Sequence, residues 1–300
     1  MAVVDEVVVP AHAELAETAG TLAEQTAALC STPSEDQLTA AREAWRAAMS
    51  ARAAERPVAL GPAMERTSMA ELDWLADPER IDEILAGDEP LDAGTVGNGP
   101  AGAKGLLAAE YLLFGAQADG LARGDDRRCT YAQHATALVA EETDRLHTAF
   151  TNEVADELAG RSNVSPIADA VIEELVNTQV HVLDDLSDTR LDPELPAGEA
   201  EGPAQHNAAW TRAALETIAQ TYDPARLGGQ LPDEIAANVD GALTGALDTL
   251  EGVDTLSGSD PQVRQQVHSA AEDVRVAVRT DVVSALDVVL GFSDNDGDSG

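Results

Sequence analysis

Residues 131–158 read YAQHATALVAEETDRLHTAFTNEVADEL. Apolar or small side chains return every three or four positions: Ala135, Leu138, Val139, Thr143, Leu146, Phe150, Val154 and Leu158. An α-helix turns once in about 3.6 residues, so these side chains fall on one face. Residues 168–186 repeat the pattern with Val171, Ile172, Leu175, Val176, Val180, Leu183 and Leu186. Residues 263–290 repeat it with Val263, Val267, Val274, Val278, Val282, Leu286 and Val289. Each stripe has the width of a core-facing bundle helix, and no paired strand signals interrupt them. The expected fold class is all-α: two helical-bundle domains with a cleft between them.

Helix breakers mark the elements around these stripes. Ser31-Thr32-Pro33-Ser34 ends a first helix and caps a second. Gly61-Pro62 ends the second, Asp77-Pro78 opens a short one, Ser165-Pro166 another, and Asp260-Pro261 the last. Residues 87–100 and 187–203 read as long loops. The predicted boundary lies near 160–166, giving an N-terminal bundle, 1–162, and a C-terminal bundle, 163–300. Residues 293–300, acidic with glycines, lack the spacing of a calcium loop and read as a frayed end.

Eighteen cations face 55 acids, a formal net charge of −37, and the only lysine is Lys104. Such a chain lacks the basic footprint of a nucleic-acid binder and the charge for an anionic membrane surface. The acids are spread along the whole length, as a solvated carboxylate coat working in high salt requires; a cation store is the alternative. No stretch is apolar and long enough to span a membrane. MAVVDEVVVP at the start lacks the basic region of a signal peptide. Cys30 and Cys129 have no metal-binding spacing, so they form a disulfide in an oxidising compartment or remain buried thiols in a reducing one.

The stretch with chemical content is Lys104 to Gly115, KGLLAAEYLLFG. Glu110 shares a helix face with Leu106, Leu107, Leu113 and Phe114. A buried, unpartnered carboxylate there costs several kcal/mol, so composition alone reads it as a helix-edge group that reaches water or an arginine. The six histidines have no HExxH spacing, and all but His206 read as solvated helix residues. Glu55, flanked by Arg52 and Arg56, reads as an ion pair. The tryptophans read as packing residues. No nucleophile elbow or phosphate loop is present.

In sequence, KGLLAAEYLLFG resembles the GxHxxE motif of the imelysin family, which usually continues as EYLLF. The resemblance extends along the chain. Pro10, His12 and Leu15 are similar to the opening PxYxxL helix. Trp45, Glu55 and Leu60-Gly61-Pro62 resemble the tryptophan helix ending in FGP. Leu72-Asp73-Trp74 with Asp77-Pro78 and Ile81-Asp82 resembles IDxWPxDxxxID, and Arg127-Arg128 with Tyr131 resembles RRxxYL. Residues 201–208, EGPAQHNA, are similar to ESPYSHNS, and 288–298 to the closing FxDxDGD.

What the resemblance implies is a two-domain helical protein with its site in the cleft. It also implies an extracytoplasmic location, as periplasmic protein or lipoprotein, and a tie to iron uptake; one branch is classed as metallopeptidase. It leaves room for a membrane tether through a lipid anchor absent from this numbering. Carried over residue by residue, the cleft candidates are Gly105, Leu107, Glu110, Glu201, His206 and Asn207, with Glu55 beside them. Leu107 stands where the family has histidine, and Gly202, Gln205 and Ala208 where serines are usual. Leucine ligates nothing, so no tight metal is expected at Leu107/Glu110 and no catalytic residue is assigned. Iron is the cofactor or cargo the resemblance suggests. A small ligand or metal is the expected partner, at a remodelled or degenerate site. A metallopeptidase and an interaction module that has lost the site are the alternatives. The oxidising compartment it implies places Cys30 near Cys129, and Glu110 is expected to meet an arginine or the loop at 201–207.

Overall fold

The computed structural model describes residues 2–64, 68, 71–151, 165–192 and 202–291. Among them the chain is helical with no β-strand. The main helices are α1 (Val9–Ser31), α2 (Glu35–Glu55), α3 (Pro78–Ala86), α4 (Gly105–Phe114), α5 (Asp126–Ala149), α6 (Ser165–Asp185), α7 (Asn207–Thr221), α8 (Asp233–Thr249) and α9 (Pro261–Val276). The expected all-α class holds. The predicted joint near 163, the residues Val154 and Leu158, and the 292–298 segment lie outside the described residues.

Local chemistry sets the helix starts. Ser34, Asp77, Asp125 and Asp260 each accept a backbone N–H of the first turn, satisfying donors the helix itself leaves free. Asp92 does the same for a short helix, Ala93–Gly97, inside the stretch the sequence reads as loop. Arg127 closes the other end of α3 by donating to the Ile84 and Leu85 carbonyls at 2.7 and 2.9 Å.

The stripes on α1, α2 and α5 pack together, with α4 laid against α2 and α5. Leu15, Leu22, Leu29, Leu38, Trp45 and Leu146 are fully buried there. A disulfide joins Cys30, at the end of α1, to Cys129, in the first turn of α5, with Cα atoms 5.4 Å apart. From the second half, α7 packs on α2, and α8 on α9. One apolar cluster runs through both halves of the chain. Polar bonds cross as well: Thr178 of α6 donates to the Ala59 carbonyl at 3.3 Å, and Glu174 accepts the Gly61 N–H at 2.7 Å.

The last stripe does not run as one helix. After α9 comes a π-helical turn, Ala277–Val282, then a short helix, Val283–Ala285. A π turn inserts a residue and rotates the apolar face. Val278 and Val282 stay buried, but Val289 is 70% exposed. Trp74, read as packing, is also exposed, whereas Trp45 and Trp210 are buried. The lone lysine is inside: Lys104 donates from Nζ to Glu71 at 2.5 Å and to the Gly97 carbonyl at 2.9 Å.

Candidate functional site around Glu110

The placement of Glu110 begins at the start of α4. Gly105 has φ +81°, and a Cβ there would stand 2.8 Å from the Leu72 carbonyl oxygen. Only glycine allows that approach, so Gly105 positions the start of the helix. Four bonds hold α4 and the turn before it: Trp45 Nε1 to the Leu106 carbonyl at 2.8 Å, the Tyr131 hydroxyl to the Ala103 carbonyl at 2.5 Å, and the Lys104 pair. Glu110 is thereby turned toward the loop that precedes α7.

That loop closes over the carboxylate. The Ala204 N–H donates to Glu110 Oε1 at 2.9 Å. Gly202 has φ +62°, and a Cβ at that position would lie 2.7 Å from Oε1. The main chain therefore roofs the carboxylate at a distance no other residue permits. Gly202 is shaped to Glu110. Burial pushes the carboxyl up to about 7, against the Ala204 N–H and the Arg190 charge, which pull it down. At neutral pH it exists both as acid and as carboxylate.

Arg190 ends a π-helical turn, Leu186–Arg190. Its Nε donates to Asp185 at 2.9 Å and its Nη1 to Asn207 Oδ1 at 3.4 Å, and the guanidinium lies 4.1 Å above the Trp210 ring. Beside it, His206 Nε2 shares a 2.9 Å hydrogen bond with the Ser50 hydroxyl. The imidazole meets Trp45 edge to face, and Trp45 meets Phe114 likewise. Arg46 sits 4.8 Å over the other aromatic partner, Phe114. Burial and then the Arg46 and Arg190 charges bring His206 down to about 4, opposed by a hydrogen bond with the Arg46 main chain. His206 is neutral at pH 7.

Of the sequence candidates, Glu110, His206 and Asn207 gather here. Leu107, half-buried, lies one turn before Glu110. Glu201 lies outside the described residues. Glu55 is elsewhere, inside α1, α2 and α5. It pairs with Arg52, which also reaches Asp73 at 3.2 Å; Arg56 joins Asp73 at 2.9 Å. Burial favours a neutral Asp73, but the two guanidiniums outweigh it and hold the carboxyl well below its usual range. His12, read as a solvated histidine, is buried, stacked 3.9 Å from Phe150, with Nδ1 3.4 Å from Glu55. Burial lowers its pKa, as do the Arg52 and His147 charges, while Glu55 raises it.

The loop at 201–207 meets Glu110 as expected, through the Ala204 N–H; Arg190, Arg46 and Ser50 were not among the sequence candidates. A hydrogen bond from a main chain leaves no trace in residue type. The scarcity of cations was the usable signal for the arginines: with three acids to each base, every arginine is worth tracing.

Fold and site together define an all-helical protein in which a loop from the second half caps a helix-borne carboxylate of the first. The chain belongs to the imelysin family: the family model described as Imelysin matches residues 8–288. Two solved structures share the fold. An imelysin-like protein from Psychrobacter arcticum 273-4 superposes with a TM-score of 0.79 at 20% identity, covering 97% of this chain and 95% of that one. A protein described as an iron-regulated protein A precursor, from Parabacteroides distasonis ATCC 8503, superposes at 0.73 with 14% identity, covering 92% and 91%. No curated protein matches the sequence.

The resemblance implies a metal between a histidine and a glutamate one turn apart. The residues present do not fit one. Leu107 has no donor atom, and Glu110 Oε1 already accepts the Ala204 N–H. Among the described residues, no group of three or more His, Cys, Asp or Glu side chains is arranged to hold an ion.

Proposed function

We propose that the chain is a binding protein without turnover, working outside the cytoplasm in a system for iron uptake, with its ligand held at the Glu110 site. The carrying observation is Glu110 itself. An invested geometry encloses it: a glycine roof, an N–H donor, and an arginine on a tryptophan face. A helix-edge glutamate needs none of this. The Leu107 position supports binding over hydrolysis, because a metal-polarised water needs ligands that this face lacks.

The tie to iron rests on family membership and on the description of one structural relative. The location rests on the family resemblance and on the Cys30–Cys129 disulfide, which persists in oxidising compartments. No helix among the described residues is long and apolar enough to cross a membrane. The division into 1–162 and 163–300, with Glu110 facing the second part, belongs to the same proposal.

The test is metal titration by calorimetry on the wild-type chain and on Leu107→His, together with a casein-hydrolysis assay. The expected result is no tight divalent or ferric binding by the wild type, weak binding after Leu107→His, and no hydrolysis. Stoichiometric metal lost in Glu110→Gln, or hydrolysis lost in that variant, overturns the proposal.

A further inference from the structure

The Glu110 site is electrostatically out of keeping with the rest of the molecule. Over the whole chain acids outnumber bases three to one. Yet Arg46 and Arg190 both act on the His206 ring and, after burial, help to keep it unprotonated. Among the described residues Arg46 has no carboxylate partner; its guanidinium rests on Phe114 and is exposed. In a chain with this acid excess, an arginine with no carboxylate partner among the described residues is a feature to explain. Arg190 pairs with Asp185 through Nε alone. The site's own acid, Glu110, is weakened as an anion by its burial. The start of α7 adds the positive end of a helix whose N-cap, His206, supplies no side-chain hydrogen bond to it. A cation entering here meets two guanidiniums and no imidazole ligand in the family's position.

Resting on the proposed binding role of this cleft, we infer that its ligand is a small organic anion, a compound bearing one or more carboxylates, received by Arg46 and Arg190 with its body against Phe114 and Leu107. Planar guanidiniums pair with carboxylates through two parallel N–H bonds, and stacking on Phe114 and Trp210 holds the planes in place. With its carboxyl near 7, Glu110 is mostly carboxylate at pH 8 and opposes such a ligand, whereas in its acid form it donates a hydrogen bond to it.

The experiment titrates propane-1,2,3-tricarboxylate, inorganic phosphate and ferric ion into the full chain. Calorimetry and tryptophan fluorescence are the readouts, at pH 8 and an ionic strength that screens the acidic coat. The expected result is tricarboxylate binding weakened about tenfold or more by Arg46→Gln and by Arg190→Gln. Glu110→Gln keeps an oxygen for the Ala204 N–H and removes a negative charge, so it should tighten the anion several-fold. Phosphate binding with the same arginine dependence, without tricarboxylate binding, supports the anion class and a smaller ligand. Arg46 is exposed, so Arg46→Gln and Glu110→Gln remain informative if Arg190→Gln misfolds. Anion affinity indifferent to Arg46→Gln and Glu110→Gln, or absent at millimolar concentration, overturns the inference. Ferric binding lost in Glu110→Gln overturns it too, while leaving Glu110 as a ligand site; binding of none of the three probes removes the cleft proposal as well.

Discussion

Removing the Cys30–Cys129 bond should lower stability by an amount the topology fixes. The two cysteines are 99 positions apart. In the chain-entropy account, closing a loop of about 100 residues removes roughly 16 cal/mol/K from the unfolded chain, or about 4.7 kcal/mol at 25 °C. Globular proteins unfold with about 2.1 cal/mol/K per residue, so 300 residues melting together give roughly 0.6 kcal/mol/K. The melting temperature of Cys30→Ser/Cys129→Ala should then fall by about 7 °C. If 1–162 melts on its own, the denominator is nearly halved, and one of two transitions should fall by about 14 °C. Calorimetry of wild type and variant in the same molar salt makes both comparisons. The reasoning fails if the variant melts within about 2 °C of the oxidised wild type. One melt shifted by the smaller amount would refute independent domains while leaving the disulfide's role intact.

Three further outcomes are expected. Arg52→Met should cost about 3–5 kcal/mol in chemical denaturation, because it strands Glu55 in the interior and leaves Asp73 to Arg56 alone; a loss under 1 kcal/mol would mean water reaches the cluster. Glu110, raised from 4.5 to about 7, contributes stability that is full below pH 4.5 and lost as pH rises to 7. His206, lowered from 6.5 to about 4, contributes stability that is full above pH 6.5 and lost as pH falls to 4. The slopes oppose each other, so denaturation midpoints at pH 5 and pH 8 should separate them only in Glu110→Gln and His206→Gln, which should drift in opposite directions relative to wild type. Melting temperature should rise from low salt to molar potassium chloride as the −37 coat is screened, and a flat or falling trend would refute that account of the acids.

The helices were legible because each carries its own instructions: Ser34, Asp77 and Asp260 cap where they stand, and the valine and leucine stripes mark the buried face. What failed was continuity. Nothing in the spacing of Val278 and Val282 announces a π turn, since one inserted residue leaves the local apolar count unchanged. The site was half legible. Glu110 was conspicuous as a charge among leucines, and the loop at 202–207 was placed beside it by family resemblance. Arg190, 80 positions away in a stretch read as irregular, was hidden because its role comes from where the chain returns. His12 was misread for a related reason: solvation is the common fate of a lone histidine, and only the packing of Phe150 and Glu55 makes it an interior group.

The interior position of Lys104 has a consequence for handling the molecule. Amine-directed acylating reagents find no side-chain target on the folded surface, since the chain's one ε-amino group is bound between Glu71 and the Gly97 carbonyl. Acylation of Lys104 therefore needs the joint ahead of α4 to open first. Its rate, followed by mass spectrometry, becomes a clock for the breathing of the segment that aims Glu110, readable without a ligand and without a variant.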